Sequence, residues 1–459
     1  MDPRLKAFFE PESVAVIGAS RNPRKIGHII VSQMIKAGFR GKLFPVNPKA
    51  TEISGLKAYP SILDVPEEVD LAIISIPARF TVQVVEQCGK KGVKAVVVVS
   101  GGFSETGNER LERDLVREAR KWGIRLMGPN CMGVYSPSSN VDMLFTPDDV
   151  LPRAPEGNVA VLSQSGSLAA GLMTMLAKQE VGVSRFISYG NAADVNEADL
   201  LEYLAQDEES KVIALYIEGL REGRRFMEVA REISTQKPVV VMKGGWGKAG
   251  MRAVKSHTGS LAGNKEVYDA ALKQCGAIKV QTLEEFVDVC MCLASQPPAQ
   301  GKRVGIITNG GGYGVISVDF LEDKGLEIPS LPKELEEELT KELPPFYTIG
   351  NPLDLTGSCT AEQYRVATKA MLDSDGIDCV MVIALMSAPM VNPPRLIDYL
   401  IELGRSRKKP LIVISLEATE EITKELRRLK LAGIPYYTDP ARGARAIAAL
   451  TRFGEVRRR

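Results

Sequence analysis

Short β-branched apolar runs alternate with longer helical patterns through nearly all of this 459-residue chain, and that alternation restricts the fold more than any other feature. Ser13–Ile17, Lys42–Val46, 71–76 and 95–100 read as buried strands, as do 159–162, Val212–Ile217, 239–242, Val304–Thr308, 379–385 and 411–415. A strand with one wet face alternates apolar and polar residues; these runs are apolar throughout, so both faces must be covered. Strands of that kind, separated by helices, require parallel sheets, because a parallel pair needs a long crossover that returns the chain to the same end. The predicted fold class is α/β, with open doubly wound sheets.

The length suggests about three domains at ~150 residues each. Pro147, Pro152, Pro155 and Gly157 interrupt the pattern near residue 150, and Pro297-Pro298-Ala299-Gln300-Gly301 interrupts it near 300. Such breakers mark linkers, giving expected domains of 1–150, 151–298 and 299–459. The second and third resemble an internal duplication. Val159-Ala-Val-Leu-Ser-Gln-Ser-Gly166 is echoed by Val304-Gly-Ile-Ile-Thr-Asn-Gly-Gly311, Gly190-Asn191 by Gly350-Asn351, and Lys237-Pro238 by Lys409-Pro410.

Composition excludes several classes. Lysine plus arginine total 58 against 57 acidic residues, so no nucleic acid or other polyanion is an expected partner. No apolar run reaches transmembrane length, and Met1 to Glu10 lacks the pattern of a signal peptide. The cysteines, Cys88, Cys131, Cys275, Cys290, Cys292, Cys359 and Cys379, form no Cys-x-x-Cys, and two histidines cannot build a His-rich metal site. No metal site is expected, Cys290 and Cys292 are expected in a helical core, and a reducing, cytoplasmic location follows.

Three constellations carry chemistry. The first is the strand–turn–helix Val14-Ala-Val-Ile-Gly-Ala-Ser-Arg-Asn-Pro-Arg-Lys-Ile-Gly27. Its dinucleotide fingerprint fails, because Ser20 and Pro23 stand where glycines are needed after Gly18; a nicotinamide oxidoreductase is disfavoured. Arg21, Arg24, Lys25 and Lys49 offer more charge than a pyrophosphate requires, and coenzyme A, with a further 3′-phosphate, suits them better. Ser75-Ile-Pro77-Ala78, Ser100-Gly101 and Gly128-Pro-Asn130 close later strands at the edge where such sheets bind ligands. Cys131 has no histidine near it in sequence and is not read as a nucleophile.

The second is Ser163-Gln-Ser165-Gly166-Ser167, a strand end running into a helix, matched by Thr308-Asn-Gly310-Gly311. Helix N-termini offer unpaired N–H groups and a favourable dipole to phosphate. The third is His257, in Ser256-His-Thr-Gly-Ser-Leu-Ala-Gly263, with Glu218 at the end of Leu215-Tyr-Ile-Glu218. Small residues allow a mobile loop, and a carboxylate accepting from one ring nitrogen favours attack by the other. The duplicate carries neither residue.

As a set, Gly128-Pro-Asn130, Ser163-Gln-Ser-Gly166 and Ser256-His-Thr-Gly-Ser-Leu-Ala-Gly263 resemble the α subunit of the nucleoside-diphosphate-forming acyl-CoA synthetases, relatives of succinyl-CoA synthetase. The resemblance covers essentially the whole chain; Thr308-Asn-Gly-Gly311 and Gly350-Asn-Pro-Leu-Asp354 are similar to the carboxy-terminal domain of the succinyl-CoA synthetase β subunit. It implies a Rossmann-like CoA-binding domain followed by two flavodoxin-like domains. It implies His257 as the phosphorylated residue, Glu218 as its carboxylate, and phosphate held by Ser163, Ser165, Gly166, Gly310 and Gly311. CoA would be held by Gly18, Ser20, Arg21, Lys25, Lys49, Pro77, Ser100, Gly101 and Asn130. Gly101 departs from the glutamate of the succinyl enzymes. The implied reaction is acyl-CoA + ADP + phosphate ⇌ carboxylic acid + ATP + CoA. With no P-loop and no ATP-grasp-sized stretch in the chain, ADP/ATP and magnesium are expected mainly on a separate ATP-grasp β subunit, in an α2β2 heterotetramer, and a small carboxylic acid or its CoA ester is the substrate. The rival is a non-catalytic or regulatory acyl-CoA-binding protein on the same scaffold, which would have no reason to keep both His257 and Glu218.

Overall fold

The computed structural model of the protein describes residues 2–247, 249–250, 252, 265–405 and 408–459. The chain divides into two compact units, Met1–Val287 and Asp288–Arg459.

The first unit opens with a five-stranded parallel sheet. Ser13–Ile17 lies between Lys42–Val46 and Leu71–Ile74, followed by Ala95–Val98 and Arg125–Met127, with Val14 opposite both Leu43 and Leu71. A short antiparallel ribbon, Glu52–Ile53 with Leu56–Lys57, interrupts the second crossover. Without it the order is 2-1-3-4-5, which puts the topological switch point between Ser13–Ile17 and Leu71–Ile74. The apolar runs are continuous for the expected reason. Val14, Val16, Leu71 and Ile73 join one core, while their neighbours Ala15, Ile17, Ala72 and Ile74 join another on the opposite face. Burying a valine or isoleucine contributes ~1.5–3 kcal/mol, so each strand is held from both sides.

The second sheet of this unit runs Ile278–Val280, Val239–Lys243, Val212–Ile217, Glu156–Ser163, Val183–Ser188, again 2-1-3-4-5 for its parallel strands. Gly133–Ser136 adds antiparallel to Val183–Ser188, and Val141–Asp142 adds to that strand in turn.

The second unit contains a third sheet: Leu353–Asp354, Val304–Thr308, Cys379–Ile383, Leu411–Ile414 and Tyr436–Tyr437. Its order, 2-1-3-4-5, repeats that of the second sheet, and the two echoed segments Val159–Gly166 and Val304–Gly311 supply strand one and its turn in both. The fold class is α/β, with three open sheets whose parallel strands share the order 2-1-3-4-5. Among the described residues, no helix is long and apolar enough to cross a membrane.

Candidate active site

The residues expected to meet CoA all fall at one edge of the first sheet. Gly18 follows Ser13–Ile17, Lys49 follows Lys42–Val46, Pro77 follows Leu71–Ile74, Ser100 and Gly101 follow Ala95–Val98, and Asn130 follows Arg125–Met127. Every one of the five strands thus contributes at its carboxyl end. Ser20, Arg21 and Lys25 occupy the turn before helix Ile26–Lys36, with Arg21, Lys25 and Lys49 exposed.

The turn is tight because two glycines meet. Gly18 has φ +92°, and a Cβ there would lie 2.6 Å from Ser75 O. A Cβ on Gly27 would fall well inside contact distance of Gly18 O. Gly27 therefore does the close helix-to-strand packing that the fingerprint assigns to its last glycine, further along the chain. The loop between is shaped by its own side chains: Asn22 N donates to Ser20 Oγ at 3.1 Å and Arg24 N to Asn22 Oδ1 at 3.0 Å. His28 Nδ1 donates to Ser20 O at 2.8 Å. A close-approach glycine with exposed cations around it suits a ligand carrying several phosphates.

Asn130 connects this edge to the second sheet. Its N donates to Ser100 O at 3.0 Å and its Nδ2 to Asn191 Oδ1 at 3.3 Å. The backbones of the two loops also bond, Asn191 N to Pro129 O and Ala193 N to Gly128 O, both at 3.0 Å. Asn191 Nδ2 reaches Glu105 Oε2 at 2.6 Å and Glu112 Oε2 at 2.9 Å, while Arg221 Nη2 bonds Glu112 Oε1 at 3.1 Å. Burial pushes the Glu105 carboxyl up, but the bonds from Asn191 and from Gly102 and Phe103 N–H outweigh it and hold Glu105 below the usual carboxylate range. Gly101 leaves room for this: a Cβ there would stand 3.1 Å from Glu105 Oε1. Cys131 is buried, its thiol is pushed up to about 12, and Sγ donates to Val98 O. It is a structural residue.

Glu218 and the serine loop meet at the edge of the second sheet. Ser165 caps helix Gly166–Lys178, its side chain accepting from Leu168 N, and Ser163 Oγ donates to Ser165 O at 2.8 Å. Gln164 reaches across to the next strand end. Its Oε1 accepts from Glu218 N and from Gly219 N (3.1 Å), and its Nε2 donates to Gly219 O at 2.8 Å. Lys243 Nζ, buried, donates to Glu218 O at 2.8 Å and to Gly244 O, and sits 4.7 Å from the Tyr268 ring centroid. Burial lowers the Lys243 pKa against the opposing charge of Glu218. Glu218 is thus gripped at both backbone ends, while Tyr216 OH donates to its Oε1 at 3.3 Å. His257 lies outside the described residues.

In the second unit Gly310 caps helix Gly311–Asp323 without a side chain. The Asp354 carboxylate stands against it: a Cβ on Gly311 would be 2.9 Å from Asp354 Oδ2. Asn309 repeats the role of Gln164, its Oδ1 accepting from Leu385 N at 2.9 Å and its Nδ2 donating to Leu385 O at 3.2 Å.

Sequence reasoning passed over Gln164, Asn191, Lys243, Glu105 and Glu197, whose Oε1 accepts from Gln164 Nε2. Gln164 and Asn191 stand inside motifs quoted for other reasons, and a lysine closing an apolar strand was a signal for Lys243. Glu197 gave none, since an acidic first turn is ordinary for a helix.

Residues 12–137 match the CoA binding domain family, 156–293 the succinyl-CoA ligase like flavodoxin domain, and 304–451 the ligase-CoA domain. Together with the serine-capped turn into helix Gly166–Lys178, they define an acyl-CoA ligase of the succinyl-CoA ligase kind. The chain is 41% identical over 458 residues to subunit alpha of ADP-forming acetate–CoA ligase I from Pyrococcus furiosus, covering 98% of each. It is 39% identical to the ADP-forming acetate–CoA ligase of Methanocaldococcus jannaschii, covering 98% of this chain and 64% of that protein. A solved structure, the dinucleotide-forming acetyl-coenzyme A synthetase 1 of Candidatus Korarchaeum cryptofilum in complex with phosphate and ADP, superposes with a TM-score of 0.93 at 37% identity, covering 99% of this chain and 97% of that one. The chain belongs to the family of ADP-forming acetate–CoA ligase α subunits, and is a ligase chain.

Proposed function

We propose that the chain, with a β subunit of ATP-grasp type, interconverts acyl-CoA, ADP and phosphate with a small carboxylic acid, ATP and CoA. The observation that carries this reading is the clasp around Glu218, in which Gln164 joins the phosphate turn to the backbone of the carboxylate. A protein that only bound acyl-CoA would have no use for the carboxylate held there, nor for His257 beside it in the sequence pattern.

CoA would lie along the first sheet's edge on Gly18, Ser20, Pro77, Ser100, Gly101 and Asn130, with Arg21, Lys25 and Lys49 on its phosphates. Inorganic phosphate attacks the thioester carbonyl, the C–S bond breaks, and CoA leaves as the thiol. The N–H groups at the start of helix Gly166–Lys178, with Ser163 and Ser165, hold the phosphate oxygens. Gly310 and Gly311 are proposed as further phosphate donors. A ring nitrogen of His257 then attacks the acyl phosphate at phosphorus, and the P–O bond to the departing carboxylate breaks. Glu218 orients the imidazole and offsets its developing positive charge. ADP takes the phosphoryl group from His257 on the partner, where magnesium would be bound. The partner is supported by the 98% match to a protein named as subunit alpha and by the 64% share of the longer M. jannaschii ligase. We assign an α2β2 assembly on the family resemblance, and a cytoplasmic location because all seven cysteines are free and buried.

The test is labelling of the reconstituted complex with γ-labelled ATP. The expected product is an acid-labile, base-stable phosphohistidine that His257→Asn abolishes; full labelling of that variant overturns the assignment. Glu218→Gln is expected to slow labelling at least tenfold with CoA affinity within twofold of wild type, and unchanged turnover counts against its role.

A further inference from the structure

We propose that Glu197 is a positioning residue for phosphoryl transfer, acting through Gln164 to hold the Glu218 turn in its working conformation. The inference rests on the reading of Glu218 given above.

Glu197 begins helix Glu197–Gln206, whose N-cap Asn196 and Asp199 already form a capping box. It is 2% exposed, and among the described residues no cation forms an ion pair with it. Its Oε1 instead accepts from Gln164 Nε2 at 2.5 Å and from Tyr189 OH at 3.2 Å. A primary amide can flip, and in the flipped state its oxygen would face the carboxylate while its NH2 group faced the N–H groups of Glu218 and Gly219. Both contacts would be repulsive, so the carboxylate adds to Gly219 O in selecting the orientation in which Gln164 Oε1 accepts from that turn.

The duplication supplies an internal comparison. Asn309 makes the same clasp on the turn after Cys379–Ile383, through Leu385 N and O. Among the described residues no carboxylate bonds to Asn309, and that copy has no Glu218 equivalent. A buried carboxylate behind the amide therefore accompanies the copy that carries the acidic turn, and the other copy folds without one. Burying an acid is costly; its pKa is raised to about 7 by burial, which the bonds from Tyr189 and Gln164 and the charge of Arg221 only partly offset. Tyr189 and Tyr268 both lie within electrostatic reach of its carboxylate.

The experiment uses the α–β complex and measures three things: phosphohistidine formation from ATP, acyl-CoA turnover, and CoA affinity. Glu197→Leu is expected to slow labelling and kcat by ten- to a hundredfold with CoA affinity within twofold. Glu197→Gln, which retains an acceptor oxygen, is expected to recover at least tenfold of a hundredfold loss. Gln164→Ala is expected to be as slow as Glu197→Leu or slower, and the double variant no slower than Gln164→Ala alone, since both changes break one relay. Losses that multiply in the double variant, or a Glu197→Leu enzyme at wild-type rate, overturn the proposal. If Glu197→Leu does not fold, Glu197→Asp, which keeps the charge and shortens the reach, is expected to show the same loss with CoA affinity kept; wild-type labelling by it overturns the proposal equally. Absence of label in the wild-type complex, or label surviving His257→Asn, instead defeats the underlying reading.

Discussion

Glu197 also makes a prediction about stability. An acid raised from the ordinary 4.5 to about 7 in the folded protein resists the ionisation that the unfolded chain undergoes freely. Its neutral form is compatible with the fold, so its favourable contribution is complete below about pH 4.5 and is lost as pH rises through about 7. Glu197→Gln cannot ionise. The stability of this variant relative to wild type is therefore expected to improve by roughly 3 kcal/mol between pH 4.5 and 8, read from thermal or urea unfolding at a series of pH values; a difference that stays flat with pH refutes the burial argument. Residues of this kind are poorly legible in a sequence. Glu218 was readable because it ends an apolar strand, in a sheet whose first strand runs into a serine-rich turn. Glu197 was not, because its partners Tyr189 and Gln164 are brought to it only by the fold.

At the scale of elements, ten of the strands were legible as apolar runs, since burial on two faces leaves no polar register. Val183–Ser188 was not, although it is an interior strand. Ser184 and Arg185 break its apolar run, and Arg185 is fully buried because Glu10 (3.0 Å), Asp207 (3.3 Å) and Glu209 (2.6 Å) converge on it. Short strands such as Arg125–Met127 and Leu353–Asp354 carry too few residues to show a period. The N-terminal turn shows the opposite case. Its fingerprint failed at Ser20 and Pro23, yet the packing that the fingerprint exists to permit is present through Gly27. Gly27→Ala must therefore push helix Ile26–Lys36 away from Gly18. The expected outcome is at least a tenfold loss of CoA affinity and a loss of about 1–3 kcal/mol in stability, measured by calorimetric titration and urea unfolding; normal CoA binding by this variant would show that the turn does not shape the site.

At the scale of the whole molecule, the two units offer separate readouts. Both tryptophans, Trp122 and Trp246, belong to Met1–Val287, so their fluorescence follows that unit. Arg185→Met removes a buried guanidinium and leaves Asp207, itself 7% exposed, without that partner. Breaking a buried pair from one side costs about 3–5 kcal/mol. The tryptophan unfolding transition is expected to move to lower urea by that amount; an unchanged midpoint would show that the buried cluster does not hold the unit together. The sequence by itself determined the α/β class, the repeated scaffold and the family, because each is written in local pattern: apolar runs, echoed strand-and-turn segments, and glycines at strand ends. Tertiary structure alone decided how Gln164, Lys243 and Glu197 grip the Glu218 turn and how Asn191 joins the two sheets of the first unit. Those arrangements depend on hydrogen bonds between residues far apart in the chain, and local periodicity carries no record of which distant polar groups will meet.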